Sequence, residues 1–311
     1  MAPHCGARSE CKYRLLVTFG GGRRPTRVSV MSITEVIAMM RLRLLSAVLA
    51  ALSLLVIFSL GVLRGEDKRA SGPTSSAVAR NPVLIELFTS EGCSSCPPAD
   101  VLLAQLDRFQ PVPTADLIVL SEHVDYWDDI GWKDPYSSHQ FSLRQADYAH
   151  RFRLDEPYTP QMVVDGNTQL VGSDERQAVQ AIQSAAKVDK FRISLSAPRL
   201  EGNNSLTVHV EVGAMSDAGA KHTSGQVWIA LADDMDQSNV RRGENAGRTL
   251  KHVAVVRTLA QVGTVEGNST FSKDLTVSTG NANLQNLRVV AILQESATRR
   301  VLGVGSTRFS K

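Results

Sequence analysis

Apolar residues follow two different spacings along this 311-residue chain, and each spacing predicts a different kind of structure. Residues 83–89 and the run DLIVLSEHV at 116–124 are mostly apolar and β-prone, as buried strands are. Between them, ADVLLAQLDRF at 99–109 carries apolar residues at helical intervals. A strand, a helix and a second strand in this order predict a crossover unit of a parallel sheet.

Four further segments complete this first region. A helix is expected at about 138–152, followed by a strand in QMVVDG at 161–166. TQLVG follows the Asp165-Gly166 turn and predicts the second strand of a hairpin, and DERQAVQAIQSAAK predicts a closing helix. We therefore expect an α/β domain at 81–188.

The second spacing is strict alternation, which dominates residues 189–311. The apolar residues of SLTVHVEV alternate with Thr207, His209 and Glu211, so one face of this strand is buried. About seven such short strands, separated by Gly, Asn, Ser and Asp turns, are typical of a small β-sandwich. The predicted fold class is thus an α/β domain followed by an all-β sandwich-like domain.

The N-terminal part predicts export. Residues 44–63 contain no charge and follow Arg41 and Arg43, which is typical of a membrane-targeting segment with a cytoplasmic N-terminus. It is long enough to stay as an inner-membrane anchor, while Ala77-Val78-Ala79 offers a cleavage site, and both readings stay open. We divide this part into a possible over-extended start at 1–38, the targeting segment at 39–64 and a linker at 65–80. The later residues are expected in the periplasm or outside the cell.

Composition narrows the function. The net charge is +3, and its basic excess lies mostly before residue 80, so nothing favours a nucleic-acid partner. The chain lacks G-x-S-x-G, a Gly-rich phosphate loop and H-E-x-x-H, which leaves hydrolase and nucleotide-dependent classes without support. Of four cysteines, Cys5 and Cys11 lie within 1–38. The exported part therefore keeps only Cys93 and Cys96, which an oxidising compartment favours as a disulfide.

Cys93 and Cys96 form a C-x-x-C pair between a predicted strand and a predicted helix, which is the sequence form of a thioredoxin-like redox site. The N-terminus of a helix favours a thiolate and lowers the pKa of a nearby thiol. Cys93, usually the more exposed sulfur, is expected to attack and Cys96 to resolve the mixed disulfide. Pro97 and Pro98 suit only the first helical turn, so the helix is expected to begin at Ser95 or Cys96.

Three further residues are candidates for this chemistry. Thr159-Pro160 precedes a strand, where a thioredoxin-like fold carries a cis-proline facing the disulfide. Glu86 lies in the first strand, and we expect its carboxylate to take the proton of the resolving thiol. His123 ends the second strand, so it and Asp125 are expected near the sulfurs.

Four segments carry a resemblance to a known family. They are VLIELFTSEGCSSCPPAD, HVDYWDDIGWKDPYSSHQFSLRQADYAHRF, YTPQMVVDG and RRGENAGRTLKHVAVVRTL. Together they resemble a family of bacterial exported proteins known as domain of unknown function 1223. The resemblance implies a thioredoxin-like first domain and no established activity. Glu86 matches the thioredoxin acid only with one extra residue before Cys93, and Gly92 replaces the usual aromatic residue.

We therefore expect an exported thiol–disulfide oxidoreductase with Cys93, Cys96, Pro160, Glu86 and His123 in its site, with no cofactor or resident metal. Its partners would be protein thiol or disulfide clients and a redox partner. The alternative is a non-enzymatic binding module whose cysteines form a structural disulfide or bind Cu(I). Three smaller hypotheses concern other segments. Trp127 and Trp132 are expected to form either a substrate lip over the sulfurs or ordinary packing of the insertion on the sheet. The segment with Arg241, Arg242 and Arg248 is expected to be a solvated hairpin, an anion site or a contact with the other domain. Surface positions are expected for His139, His150, His209, His222 and His252.

Overall fold

The computed structural model describes residues 80–202, 204–213, 224–266, 269–280 and 283–309. These residues belong to one structural unit, which spans 75–311. The expected targeting segment at 39–64 lies outside the described residues, as do Cys5, Cys11 and His222. Within the described ranges, none of the helices combines the length and the apolar character needed to cross a membrane.

The described residues contain three α-helices and twelve strands. The helices are α1 (Pro97–Phe109), α2 (His139–Phe152) and α3 (Glu175–Ala185). The strands are β1 (Asn81–Thr89), β2 (Ala115–His123), β3 (Gln161–Val164), β4 (Thr168–Val171), β5 (Ile193–Leu195), β6 (Arg199–Glu201), β7 (Ser205–Val212), β8 (Ser224–Asn239), β9 (Thr249–Glu266), β10 (Phe271–Ser278), β11 (Leu287–Glu295) and β12 (Val301–Arg308).

One large mixed sheet contains eight of these strands, in the order β12-β11-β8-β9-β2-β1-β3-β4. β1 and β2 are parallel, as the crossover pattern predicts, and β3 and β4 form the expected hairpin on the other side of β1. β9 joins β2 through a short parallel contact, in which Ser121 pairs with Val255. One sheet therefore contains strands from both sides of residue 188, the predicted boundary between the two domains.

A second, small sheet packs on this large one. Its order is β10-β7-β5, with β6 also paired to β7. Leu206, Val208 and Val210 of β7 pack against apolar residues of β8 and β11, such as Ile229 and Val289. The later strands thus do pack face to face, but one of the two layers is the continuation of the α/β region. The fold is mixed α/β, with a large mixed sheet and a second small sheet.

The two faces of β1 bury different neighbours because side chains alternate along a strand. Ile85 and Leu87 belong to the core under α1 and α3. Leu84 belongs to the opposite core, which contains Phe141 of α2 and residues of β8, β9 and β11. This alternation decides which face each polar residue of β1 can reach.

Candidate functional site

The C-x-x-C pair lies where the sequence predicts, in the loop between β1 and α1. Cys93 and Cys96 form a disulfide, with their Cα atoms 5.5 Å apart. Cys96 is the N-cap residue of α1, and Pro97 and Pro98 occupy the first turn. Proline is tolerated there because the first backbone N–H groups of a helix have no partner within the helix. The helix therefore begins at Pro97, one residue after the later of the two expected starts, Ser95 and Cys96.

Both cysteines are fully buried, with 0% of their surface exposed. Ser94 and Ser95, which lie between them, are exposed. The expectation that Cys93 is the more accessible sulfur is therefore wrong for this disulfide form. The cause lies in segments that approach the cysteine loop from elsewhere in the chain.

The first of these segments is the loop of the β8–β9 hairpin, residues 240–248, which we call the hairpin tip. Asn245 is fully buried, and its amide nitrogen donates to the carbonyl oxygens of Glu91 and Cys93, both at 2.9 Å. The backbone N–H of Ser94 donates to a carboxylate oxygen of Glu244 at 3.0 Å. The hairpin tip is therefore bound directly to the cysteine loop.

Close backbone approach supports this contact. Gly131 and Gly243 both have positive φ, and a Cβ atom added to Gly131 would lie 3.4 Å from the Cα of Gly243. The side chains of Arg241 and Arg242 stay exposed. This hairpin was expected to be solvated, to bind an anion or to contact the other domain, and the structure shows a contact with the first region. Gly243, Glu244 and Asn245 make this contact, and the arginines do not.

The second segment is the loop that contains the proline. The Thr159–Pro160 bond is cis, as expected. Trp127 donates from its indole nitrogen to the hydroxyl of Thr159 at 2.9 Å, and a Cβ atom on Gly92 would lie 3.0 Å from the Cβ of Trp127. Trp127 therefore packs between the cysteine loop and the proline loop. A side chain at position 92 would meet Trp127, which explains glycine at this position.

A buried carboxylate next to the disulfide was missed in the sequence. Glu91 is fully buried, and its carboxylate accepts hydrogen bonds from the indole of Trp132 at 2.8 Å and from the hydroxyl of Ser238. Its other close neighbour is His252, whose Nε2 lies 3.2 Å from a carboxylate oxygen. Glu91 thus joins the cysteine loop to both strands of the β8–β9 hairpin.

His123 reaches the cysteine loop through Asp134. One carboxylate oxygen of Asp134 lies 2.7 Å from His123 Nδ1 and accepts from the backbone N–H of Glu91 at 2.8 Å. Burial opposes ionisation of Asp134, but His123 and the backbone hydrogen bonds outweigh it and lower its pKa. Asp125, by contrast, is held by His139 and Ser142 of α2 and is bonded to neither cysteine.

His252 is buried, so the prediction that it lies at the surface is wrong. Its ring lies 4.7 Å from the ring of His123, and its Nδ1 lies 3.7 Å from a carboxylate oxygen of Asp100. Burial lowers the pKa of His252, but Asp100 and Glu91 outweigh this and raise it to about 10. The alternation along LKHVA contains the missed signal, because His252 shares a face with Leu250 and Ala254. We call Glu91, Asp100, His123, Asp134 and His252 the loop cluster.

Glu86 does not join this cluster. It lies between Ile85 and Leu87 on β1, so it faces α2 rather than α1. Its carboxylate lies 2.6 Å from the guanidinium of Arg144 and accepts from the hydroxyl of Tyr148 at 2.6 Å. The sheet therefore separates Glu86 from the helix that carries Cys96, and the acid expected beside the resolving thiol lies on the other face.

Glu122 lies beside the same guanidinium, 3.5 Å from Arg144 Nε, and both its carboxylate oxygens are buried without a hydrogen bond. Burial, followed by the charge of Glu86, raises the pKa of Glu122 well above its ordinary value. We call Glu86, Glu122, Arg144 and Tyr148 the helix cluster. Among the described residues, no three His, Cys, Asp or Glu side chains are grouped so that they could hold a metal ion.

Comparison with known proteins identifies a family and a solved structure with a similar fold. A family model described as "Protein of unknown function (DUF1223)" matches residues 84–294. The crystal structure of protein AGR_C_4864 from Agrobacterium tumefaciens is 23% identical, with a TM-score of 0.55, and the alignment covers 75% of this chain and 96% of that one. A domain of the outer membrane lipoprotein Omp28 from Porphyromonas gingivalis is 15% identical, with a TM-score of 0.27, over 40% of this chain and 90% of that one. No curated protein matches the chain.

Proposed function

The chain belongs to the DUF1223 family, which has no assigned activity, and we propose that it is an exported thioredoxin-like protein that performs thiol–disulfide exchange. The observation that carries this proposal is the disulfide between the end of β1 and the start of α1. Trp127 joins this disulfide loop to the cis Thr159–Pro160 bond. A dithiol at a helix N-terminus is suited to exchanging sulfur with a client, because this position favours a thiolate.

The arrangement of elements supports the thioredoxin-like part of the proposal. β2, β1, β3 and β4 are neighbours in this order, and the first two are parallel. α1 and α3 cover one face, while α2 covers the other. In this proposal, the strands beyond β2 extend a thioredoxin-like sheet rather than forming a separate body.

The proposed reaction moves two electrons between this protein and a client. A Cys93 thiolate attacks a client disulfide, which gives a mixed disulfide and releases one client sulfur as a thiolate. Cys96, as a thiolate, then attacks the Cys93 sulfur and releases the second client sulfur. The client disulfide is reduced, Cys93–Cys96 is oxidised, and the released thiolates take protons from water. The reverse sequence oxidises a client dithiol, and an unidentified redox partner restores the starting state.

Two features support export to the periplasm or beyond. A disulfide persists in an oxidising compartment, and reducing conditions in the cytoplasm would open it. The apolar segment at 44–63 would target the chain and, if uncleaved, anchor it to the inner membrane. Fractionation of cells that produce the full chain should recover it from the periplasm or the membrane, and recovery from the cytoplasm alone would contradict export.

Trapping of mixed disulfides tests the exchange chemistry directly. A Cys96→Ser variant cannot resolve, so we expect protein clients to accumulate on Cys93 in the native compartment. Cys93→Ser tests whether Cys96 can also capture clients, and the double variant is the matched control. If neither single variant captures anything and the redox potential lies below about −300 mV, the disulfide is structural and the proposal is overturned.

The burial of both sulfurs favours a second candidate, a binding module in which the disulfide is a static cross-link. The disulfide closes a loop of only a few residues, so it removes little entropy from the unfolded chain and adds little stability. In the metal form of this candidate, the reduced thiolates bind Cu(I), which two sulfur ligands can satisfy. Titration of the reduced chain with Cu(I) against a chelator of moderate affinity tests this form, and no transfer of metal to the protein would exclude it.

A further inference from the structure

We propose that the hairpin tip is a latch, and that its Asn245 must leave the cysteine loop before either cysteine can react. This inference rests on the proposed thiol–disulfide exchange, since it describes how that site is controlled. The site is closed in the structure because both sulfurs are buried while the two serines between them are exposed. A client sulfur cannot reach a fully buried disulfide without a movement of its cover.

The contacts of the latch are few and concentrated. Asn245 is the one buried residue between 241 and 249, and its amide group bonds to two carbonyl groups of the cysteine loop. Arg248 donates to the Asn245 side-chain oxygen at 2.8 Å, which fixes the orientation of the amide. Glu244 adds one exposed bond to Ser94. Loss of the Asn245 side chain therefore removes two of the three described hydrogen bonds between the tip and the cysteine loop.

The hairpin tip can move without unfolding the sheet. It is closed by its own backbone bonds, in which Gly247 N–H donates to the Val240 carbonyl at 2.8 Å and Val240 N–H donates to the Arg248 carbonyl at 2.9 Å. Gly243 and Gly247, both with positive φ, flank Asn245, and glycine tolerates the backbone changes that a hinge requires. Once the tip moves, water can bond to every polar group that it exposes.

A second anchor separates the moving part from the fixed part. Ser238 and His252, one on each strand of the hairpin, bind the carboxylate of Glu91. Ser238 and His252 belong to the strands β8 and β9 themselves, outside the tip, and Glu91 is fully buried. The opening is therefore confined to residues 240–248, while the loop cluster stays in place beneath the cysteine loop.

The rate of disulfide reduction by dithiothreitol tests the latch without any client. Dithiothreitol is oxidised to its cyclic disulfide, and Cys93 and Cys96 gain two electrons and two protons. Alkylation and mass measurement then count the free thiols. We define the protection as the reduction rate of the unfolded chain in guanidinium chloride divided by the reduction rate of the native chain. This ratio removes differences in the intrinsic reactivity of the disulfide.

We expect Asn245→Ala to lower this protection by about tenfold, because two hydrogen bonds to the cysteine loop are lost. Glu244→Ala, which removes one exposed bond, should lower it by about threefold and leave the buried interface intact. Arg242→Ala is the matched control, since this exposed side chain lies in the same tip and makes no described contact with the cysteine loop, and its protection should equal that of wild type.

The latch is overturned if folded Asn245→Ala and Glu244→Ala react no faster than Arg242→Ala. It is also overturned if reduction of the wild-type disulfide requires global unfolding. In that case the logarithm of the reduction rate would rise with denaturant, even at the lowest concentrations, with the slope that describes global unfolding. Failure of the proposed function looks different. In that case the variants lose protection against dithiothreitol, yet Cys96→Ser captures no client even when it is combined with Asn245→Ala.

Discussion

The loop cluster and the helix cluster are both buried groups of opposite charges, but they lie on different parts of the sheet and differ in chemistry. The loop cluster sets three carboxylates against two imidazoles, and it contacts the disulfide loop through Glu91. The helix cluster sets two carboxylates against one guanidinium, and Arg144 of α2 supplies it. His252 loses its charge as pH rises towards its raised pKa of about 10, whereas a guanidinium keeps its charge throughout.

The two clusters therefore differ in how the charge of their basic groups responds to pH. In the helix cluster, the permanent positive charge of Arg144 joins α2 to carboxylates of β1 and β2. The loop cluster joins the cysteine loop, α1, β2, β9 and the segment before α2, and its His252 can lose a proton as pH rises. A site that exchanges sulfur and protons benefits from such neighbours, and the three predictions below test the contrast.

The largest expected effect comes from Arg144→Met. This change leaves Glu86 and Glu122 buried without a compensating charge, and we expect a loss of about 3–5 kcal/mol in the free energy of unfolding. Denaturant unfolding of the two proteins measures it. Adding Glu86→Gln to the variant should recover part of the loss. If the double variant is no more stable than Arg144→Met, unpaired charge is not the cause.

The next effect is a pH dependence that belongs to the loop cluster. Folding raises the pKa of His252 from its ordinary 6.5 to about 10, so its stabilising contribution is complete below pH 6.5 and is lost as pH rises towards 10. We expect a fall of a few kcal/mol over this window. His252→Gln keeps a donor for Glu91 but cannot titrate. The wild-type excess in unfolding free energy over this variant should shrink with pH, and a constant difference would refute the assignment.

The smallest effect has the opposite sign. The pKa of Glu122 is raised well above 4.5, so at neutral pH the folded chain must either keep a proton on this carboxyl or bury its charge. Glu122→Gln removes that cost and should slightly raise the free energy of unfolding at pH 7. The gain should vanish below pH 4.5, where the unfolded carboxyl is also protonated. Glu86→Gln is the matched comparison, and we expect it to destabilise because Arg144 loses its closest partner.

Several parts of the fold were predictable because they depend on neighbours in the chain. The strands and helices from β1 to α3 follow apolar spacing, and Pro97 and Pro98 set the start of α1. The disulfide follows from two cysteines whose short separation already brings them together. The alternation of side chains along β1 and β9 also indicates the faces on which Glu86 and His252 lie.

Other features depend on pairing between distant segments, which local spacing does not encode. β9 meets β2 through a single registered pair, Ser121 with Val255, and this contact joins the later strands to the first sheet. The polar run RRGENAGR reads as a solvated turn by composition. Only its position over the cysteine loop makes Asn245 a buried donor to the carbonyl of Cys93.

The sequence by itself determined the strands and helices from β1 to α3, the C-x-x-C pair at a helix N-terminus and the proline of the facing loop, because hydrophobic periodicity and backbone preference act over a few residues. The tertiary structure alone decided that both sulfurs are covered, that Glu91 is fully buried in the cysteine loop and that Glu86 contacts Arg144 of α2 instead. Hydrogen bonds and charges act wherever the folded chain brings groups within a few ångströms, and sequence distance sets no limit on that.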